Sequence, residues 1–278
     1  AACREMIRGG SLSFSLASKF LPRSKRDDVF LLYGWCRYCD DQVDQAHALG
    51  RAEQLARLAS LRSKTEAALR GRPPAETVFL GMAAVCRKYA IPEHYPLELL
   101  EGMRMDVEGY QYETWDDLRL YCYRVAGVVG LMMSHILGIR DQAALRHACD
   151  LGSAMQLTNI ARDIKEDAAM GRIYLPRDWL RTDPSLVRAV RQLLAHADDY
   201  YRSGAQGLAS LGWRTSLAIS AAASVYSEIG KRVQLRGAKA WDQRTVIPLV
   251  RKLWVIARDL PLWMRSRFHR RRGPEVQI

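Results

Sequence analysis

The stretch Gln156-Leu-Thr-Asn159-Ile-Ala-Arg162-Asp163-Ile-Lys-Glu166-Asp167 decides how the rest of the chain is read. Around it, Ala154, Leu157, Ala161, Ile164 and Ala168 recur at alternating steps of three and four, the period of one helix face. The spacing predicts a single helix through the whole stretch. A second stripe of Gln156, Asn159, Asp163 and Asp167 runs beside the first, so two amides and two carboxylates project from one side. Aspartates one helical turn apart have Cβ atoms roughly 5–6 Å from each other and repel, so something positive should sit between them.

An earlier segment repeats the arrangement. Val29, Leu32, Cys36, Cys39 and Val43 step by three and four and predict the buried stripe of another helix. One residue further round lie Tyr33, Arg37, Asp40 and Asp44, and Asp41 adds a third carboxylate. A single pair of this kind reads most simply as a solvated acidic face. Two copies far apart in sequence, each flanked by arginine and by a carboxamide or phenol, point instead to facing helices. Mg²⁺ takes oxygen ligands octahedrally and is usually held by one or two carboxylates together with substrate phosphates. Helix bundles commonly build carboxylate metal sites in this way, so two such helices could clamp Mg²⁺ around a diphosphate.

Tyr33-Gly-Trp-Cys36-Arg37-Tyr-Cys-Asp40-Asp41-Gln-Val-Asp44, the second acidic stretch, Gly171-Arg-Ile-Tyr174-Leu-Pro176 and Tyr121-Cys-Tyr-Arg-Val-Ala-Gly127-Val-Val-Gly130-Leu-Met-Met together resemble the squalene/phytoene synthase family. The likeness runs from about Ser11 to Arg244 and is strongest to the bacterial phytoene-forming branch. It implies an all-α, single-domain helical bundle of the isoprenoid-synthase type, about a dozen helices around a central pocket. One domain would span 1–278, with 1–10 and 266–278 flexible. It also implies head-to-head condensation of two geranylgeranyl diphosphates to phytoene via prephytoene diphosphate, in carotenoid biosynthesis.

By the same resemblance, Mg²⁺ or Mn²⁺ would be held by Asp40, Asp41, Asp44, Asn159, Asp163 and Asp167, and no NADPH is expected. Arg37 and Arg162 would join Asp40, Asp44, Asp163 and Asp167 as catalytic groups. Substrate contacts would come from Ser11, Ser13, Phe14, Tyr33, Arg37, Gln156, Asn159, Arg162, Tyr174, Tyr226 and Arg244. Leu12 stands where the family often has lysine, and a serine there also reads as a helix N-cap. Without the resemblance, Tyr226 reads as a core tyrosine and Arg244 as a solvated arginine.

The rest of the chain fits a globular α-protein. Its 278 residues are ample for a sizeable core, and 49% hydrophobic with 26% charged is ordinary. A net charge of +12 is not, and it favours an anionic partner: diphosphate, an acidic membrane or nucleic acid. Nucleic acid rests on charge alone, because the basic residues lack aromatic interleaving. Periodicity predicts helices over 51–69, 76–90, 95–107, 115–137, 184–201, 205–236 and 244–265. Gly127 and Gly130 inside the fourth of these ask for a kink or close packing. Glu101, Asp106 and Glu108 read as rim charges.

The opening residues lack an initiator Met and an apolar core, so no signal peptide is expected. No apolar run reaches the roughly 20 residues of a membrane span. The six cysteines, Cys36 and Cys39 among them, read as core thiols of a reducing compartment. No zinc spacing, P-loop, dinucleotide or nucleophile-elbow motif is present. The basic tail Arg265-Ser-Arg267-Phe-His-Arg270-Arg271-Arg272 suits anionic lipid. The expected place is therefore cytoplasmic and peripheral on the inner face of a membrane, with prenyl diphosphates and downstream carotenoid enzymes as partners and no nucleic acid. Rival readings are a dehydrosqualene or squalene synthase using farnesyl diphosphate, and a non-catalytic lipid-binding or assembly relative.

Overall fold

The computed structural model describes Leu21 and residues 23–269. Ser11, Ser13 and Phe14 lie outside the described residues, as do Arg270, Arg271 and Arg272 of the basic tail. Twelve α-helices and no strands occur among the described residues: α1 (Arg23–Gln45), α2 (Arg51–Leu69), α3 (Thr77–Tyr89), α4 (His94–Glu108), α5 (Trp115–Cys122), α6 (Val128–Leu137), α7 (Gln142–Arg162), α8 (Ile164–Ala169), α9 (Arg177–Thr182), α10 (Leu186–Gly207), α11 (Trp213–Arg236) and α12 (Leu249–His269).

The first acidic helix forms as its spacing predicts. Val29, Leu32, Cys36, Cys39 and Val43 are all buried, and the cysteines are free thiols. They join Trp35, Phe79, Met82, Leu100 and Met132 in one apolar core. A second core gathers Leu118, Leu157, Ile160, Leu193, Val233 and Trp241 around α7 and α10. Complete burial of a side chain the size of leucine contributes about 1.5–3 kcal/mol, so these two clusters supply the main driving force for the bundle.

The second acidic segment departs from the expectation of one straight helix. Ala154, Leu157 and Ala161 are fully buried, but the stripe ends there: Ile164 is half-buried and Ala168 exposed. At Asp163 the backbone (φ −103°, ψ 20°) leaves helical geometry and the segment divides into α7 and α8. The backbone bonds from Asp163 N to Asn159 O and from Asp167 N to Asp163 O survive at 2.9 and 2.8 Å. The break is thus a bend. No residue of α8 is buried, and a two-bond cap closes it, with Gly171 N donating to Ala168 O and Arg172 N to Asp167 O. Gly171 has φ +73°, the left-handed conformation such a cap requires.

The glycines of the 115–137 segment mark a close helix crossing. The segment is α5 and α6 joined by a π-helical turn over Tyr123–Gly127. A Cβ on Gly130 would come within 2.4 Å of the Ala148 carbonyl oxygen, and one on Gly152 within 2.4 Å of the Ala126 carbonyl oxygen. Backbone therefore touches backbone, which no other residue allows. The 23-residue stretch Trp115–Leu137 is long and apolar enough to cross a membrane by length and composition, contrary to the sequence reading. Half of its most apolar window is buried inside the molecule against neighbouring helices.

Two other boundaries differ from expectation. The 205–236 segment is not one helix, because α10 runs on to Gly207 and the chain reverses through Leu211 and Gly212 before α11. The last helix starts at Leu249 rather than 244. Pro248 fits a helix start, where its missing N–H is not needed, and biases Ile247 towards extended backbone. Arg244 consequently lies on a loop. Replacing Gly130 by Ala should destabilise the fold by about 1–3 kcal/mol through overpacking, read as a lower midpoint in urea unfolding with unchanged slope.

Candidate active site

Between the two cores lies a cavity of about 590 Å³. Its wall changes character along two helices in the same sense. On α1 it passes from Val29 through Tyr33 and Cys36 to Arg37 and Asp40. On α7 it passes from Ala144, Ala148 and Leu151 through Met155 to Gln156, Asn159, Arg162 and Asp163. At a rise of about 1.5 Å per residue, the α7 gradient spans roughly 28 Å. One end of the cavity is therefore apolar and the other charged.

The charged end draws together most of the residues singled out in the sequence. Tyr33, Arg37, Asp40, Gln156, Asn159, Arg162, Asp163, Asp167, Tyr174 and Tyr226 all line the cavity. Asp41, Asp44 and Arg244 do not line it, but each is ion-paired to a residue that does. Arg37 donates to Asp40 Oδ2 at 3.0 Å and to Asp41 Oδ1 at 2.7 Å. Arg172 donates to Asp44 Oδ1 at 3.1 Å. Arg244 grips Asp163 with two bonds of 2.9 and 3.1 Å, and Arg162 grips the same carboxylate from the adjacent position. The positive partners demanded by the spacing of the aspartates are thus arginines.

Among the described residues, no three carboxylate, thiolate or imidazole groups gather into a ready-made metal cage. Mg²⁺ seldom needs one, since it commonly binds through one or two carboxylates and a substrate phosphate. The donor set suits such an ion, because it is all oxygen and carries more negative charge than its surroundings tolerate. Burial, with the Asp44 carboxylate adding to it, pushes Asp40 up to about 6 against the pull of Arg37. Burial and the Asp163 carboxylate push Asp167 up to about 7. Burial would also raise Asp163, but the hydrogen bonds from Arg162 and Arg244 outweigh it and hold that carboxyl below its ordinary value.

Two site residues escaped the sequence reading. Asp106 on α4 is not a rim charge. It lines the cavity and accepts hydrogen bonds of 2.9 Å from both Tyr121 and Tyr174, whose rings stack at 4.9 Å. Burial pushes its carboxyl up to about 6 against the pull of Arg172 and the two phenols. Arg172 is the second. Its guanidinium feels Asp106, Asp44, Asp40 and Asp167 together, so it stands where the two acidic motifs meet. The signal for Arg172 was its place directly after the capping glycine. For Asp106 there was none, because its partners come from α5 and the loop after α8. Glu101 and Glu108 do behave as surface charges, paired to Arg62 and Arg104.

A pH signature follows from Asp167. A carboxyl whose folded value lies near 7, against an ordinary 3.8, is destabilising when ionised; the cost is absent at low pH and grows as pH rises between those two values. Asp167→Asn should therefore raise the thermal midpoint of the metal-free protein by a few degrees at pH 8. The gain should shrink as pH falls below 7 and vanish only below about pH 4, as differential scanning calorimetry across pH would read directly.

The likeness seen in the motifs extends over most of the chain. The profile of the Squalene/phytoene synthase family matches residues 7–251. The 15-cis-phytoene synthase of Paracoccus sp. (strain N81106 / MBIC 01143) is 46% identical over 255 residues, covering 86% of this chain and 84% of that one. That of Pantoea ananas is 42% identical over 286 residues, covering 95% and 93%. Among solved structures, a dehydrosqualene synthase in complex with ligand superposes with a TM-score of 0.85 at 29% identity, covering 95% of this chain and 96% of the other. The chain belongs to the squalene/phytoene synthase family.

Proposed function

We propose that this protein is a 15-cis-phytoene synthase, a prenyltransferase that joins two geranylgeranyl diphosphates head to head by way of prephytoene diphosphate. The observation that carries the reading is a single cavity whose apolar wall passes, along both α1 and α7, into paired aspartates and arginines. Such a wall takes the hydrocarbon tail at one end and the diphosphate at the other. The 42–46% identity to the two phytoene synthases over most of the chain supports this choice within the family.

Asp40, Asp44, Asp163 and Asp167 are the residues that would hold Mg²⁺, with Asp41 and Asn159 beside them and Mn²⁺ as a substitute. The ion, when bound, supplies Lewis-acid neutralisation of the leaving diphosphate. Arg37, Arg162 and Arg244 would exchange their carboxylate partners for diphosphate oxygens, making charge-assisted bonds of the same geometry. Gln156 and Asn159, 3.4 Å apart, offer further donors on the same face. Ionisation of one substrate leaves an allylic cation at C1, which the C2=C3 bond of the other attacks; loss of a proton closes the cyclopropane ring of prephytoene diphosphate, whose own diphosphate then leaves to give a second cation that rearranges. The apolar wall keeps water from both cations, and the faces of Tyr33 and Tyr226 favour positive charge. Asp106 orients the Tyr121 and Tyr174 phenols towards this region. The final proton passes to the released diphosphate.

Hydrophobic substrates and a charge of +12 also fit a cytoplasmic enzyme held peripherally on an anionic membrane, passing its product to downstream carotenoid enzymes. A second reading, dehydrosqualene synthesis from farnesyl diphosphate, is favoured by the 0.85 superposition on such an enzyme. Product analysis by mass spectrometry with C15 and C20 diphosphates, each with and without NADPH, separates these. Phytoene from the C20 substrate alone, independent of NADPH, is the expected result.

Asp40→Ala and Asp163→Ala should each lower turnover by on the order of 10²–10³-fold while far-UV circular dichroism stays unchanged. Chelation with EDTA should abolish activity and Mg²⁺ restore it. Wild-type rates in either variant would remove the two motifs from the chemistry.

A further inference from the structure

The helix α12 is built inside out. On a surface helix the apolar stripe faces the core and the charges face water. Here Leu249, Val250, Leu253, Trp254, Ala257 and Leu260 lie on the exposed side, with Val250 80% and Leu249 63% accessible. The inward side carries Val255 together with Arg251 and Asp259. Arg251 reaches a buried carboxylate, donating to Glu228 Oε1 of α11 at 2.8 Å. Arg232 and Arg258 stand 3.7 and 3.9 Å from the same Glu228. A carboxylate only 3% exposed, met by Arg251 and Arg258 of α12 as well as by Arg232 of its own helix, holds α12 in this rotation. Turning the helix to hide its leucines would take away the 2.8 Å bond from Arg251 and leave the buried Glu228 with the more distant Arg232 alone.

We infer that the outward face of α12 is the surface by which this protein lies on an anionic lipid bilayer. The apolar side chains are large and follow one helix face, which is the pattern of a helix resting in the plane of a membrane interface. Trp254 sits among them, with the guanidiniums of Arg251 and Arg258 4.2 and 5.1 Å from its ring centre. Tryptophan beside arginine suits the level of lipid headgroups, where an aromatic body meets phosphate charge. The same helix continues in sequence to Arg265-Ser-Arg267-Phe-His269 and is followed by Arg270-Arg271-Arg272, so its charge complements an anionic surface. Val246, 68% exposed just before the helix, extends the face. The inference gives the proposed membrane partner a definite docking surface, and it does not depend on the catalytic residues.

The test uses the full-length protein with vesicles of phosphatidylcholine alone or mixed equally with phosphatidylglycerol, in the absence of substrate. Wild type should co-sediment with the anionic vesicles and at least about tenfold less with the neutral ones. The pair Val250→Asp and Leu253→Asp should lower anionic-vesicle binding by about tenfold or more, with turnover in detergent unchanged. Brominated lipid should quench the fluorescence lost in Trp254→Phe. Equal binding by wild type and the double variant, with Trp254 unquenched, would overturn the inference. So would a wild-type dimer that the double variant splits in sedimentation velocity, which would make a second copy the occupant. Shielding of Trp254 from acrylamide without vesicles would assign the face to residues 1–20 of the same chain and equally overturn it. Because no substrate is present, failure here leaves the catalytic reading standing, and an inactive enzyme that still binds vesicles leaves this one standing.

Discussion

The structure turns on a problem of crowding among like charges. Asp40, Asp44, Asp106, Asp163 and Asp167 converge on one end of a cavity where burial removes part of the solvent that would screen them. Left to themselves they would repel, and burial first, with the neighbouring carboxylates adding to it, raises Asp40, Asp106 and Asp167. Arginine resolves it. Arg37, Arg162, Arg172 and Arg244 each answer a carboxylate, and Arg172 binds the two motifs electrostatically into one site. A set of cations matched to carboxylates is also matched to a diphosphate, so the device that allows the fold to close prepares it for its substrate.

The helices contribute by being polarised along their length. Because α1 and α7 both pass from apolar to charged side chains along their length, the cavity inherits a dry end and an ionic end, the latter completed by Arg172 and Tyr174 from the loop after α8. The close crossing at Gly130 and Gly152 draws α6 and α7 into backbone contact beside this wall. At Asp163 the helix breaks, and beyond the break Asp167 stays on the cavity wall and feels Arg172.

Much of this was legible beforehand, and the exceptions have a common cause. Periodicity found the buried faces of α1 and of α7, because helix faces are local properties. It found the paired aspartates for the same reason. It missed the bend at Asp163, whose carboxylate is gripped by Arg162 and, from a distant loop, by Arg244. It misread Asp106, whose meaning lies in two tyrosines contributed by distant elements. It placed Arg244 on a helix, where Pro248 and Ile247 put a loop. The rotation of α12 was also hidden, since its sequence is amphipathic whichever side faces inward; only Glu228 decides.

The most direct test of the account is anomalous diffraction from crystals grown with Mn²⁺ and an unreactive thio-analogue of geranylgeranyl diphosphate. The account predicts manganese peaks bridging the analogue's phosphates to both aspartate pairs, with the hydrocarbon along the apolar end of α7. Peaks confined to one pair, or a diphosphate held by the arginines with no manganese beside it, would contradict the convergence of the two motifs on a single leaving group.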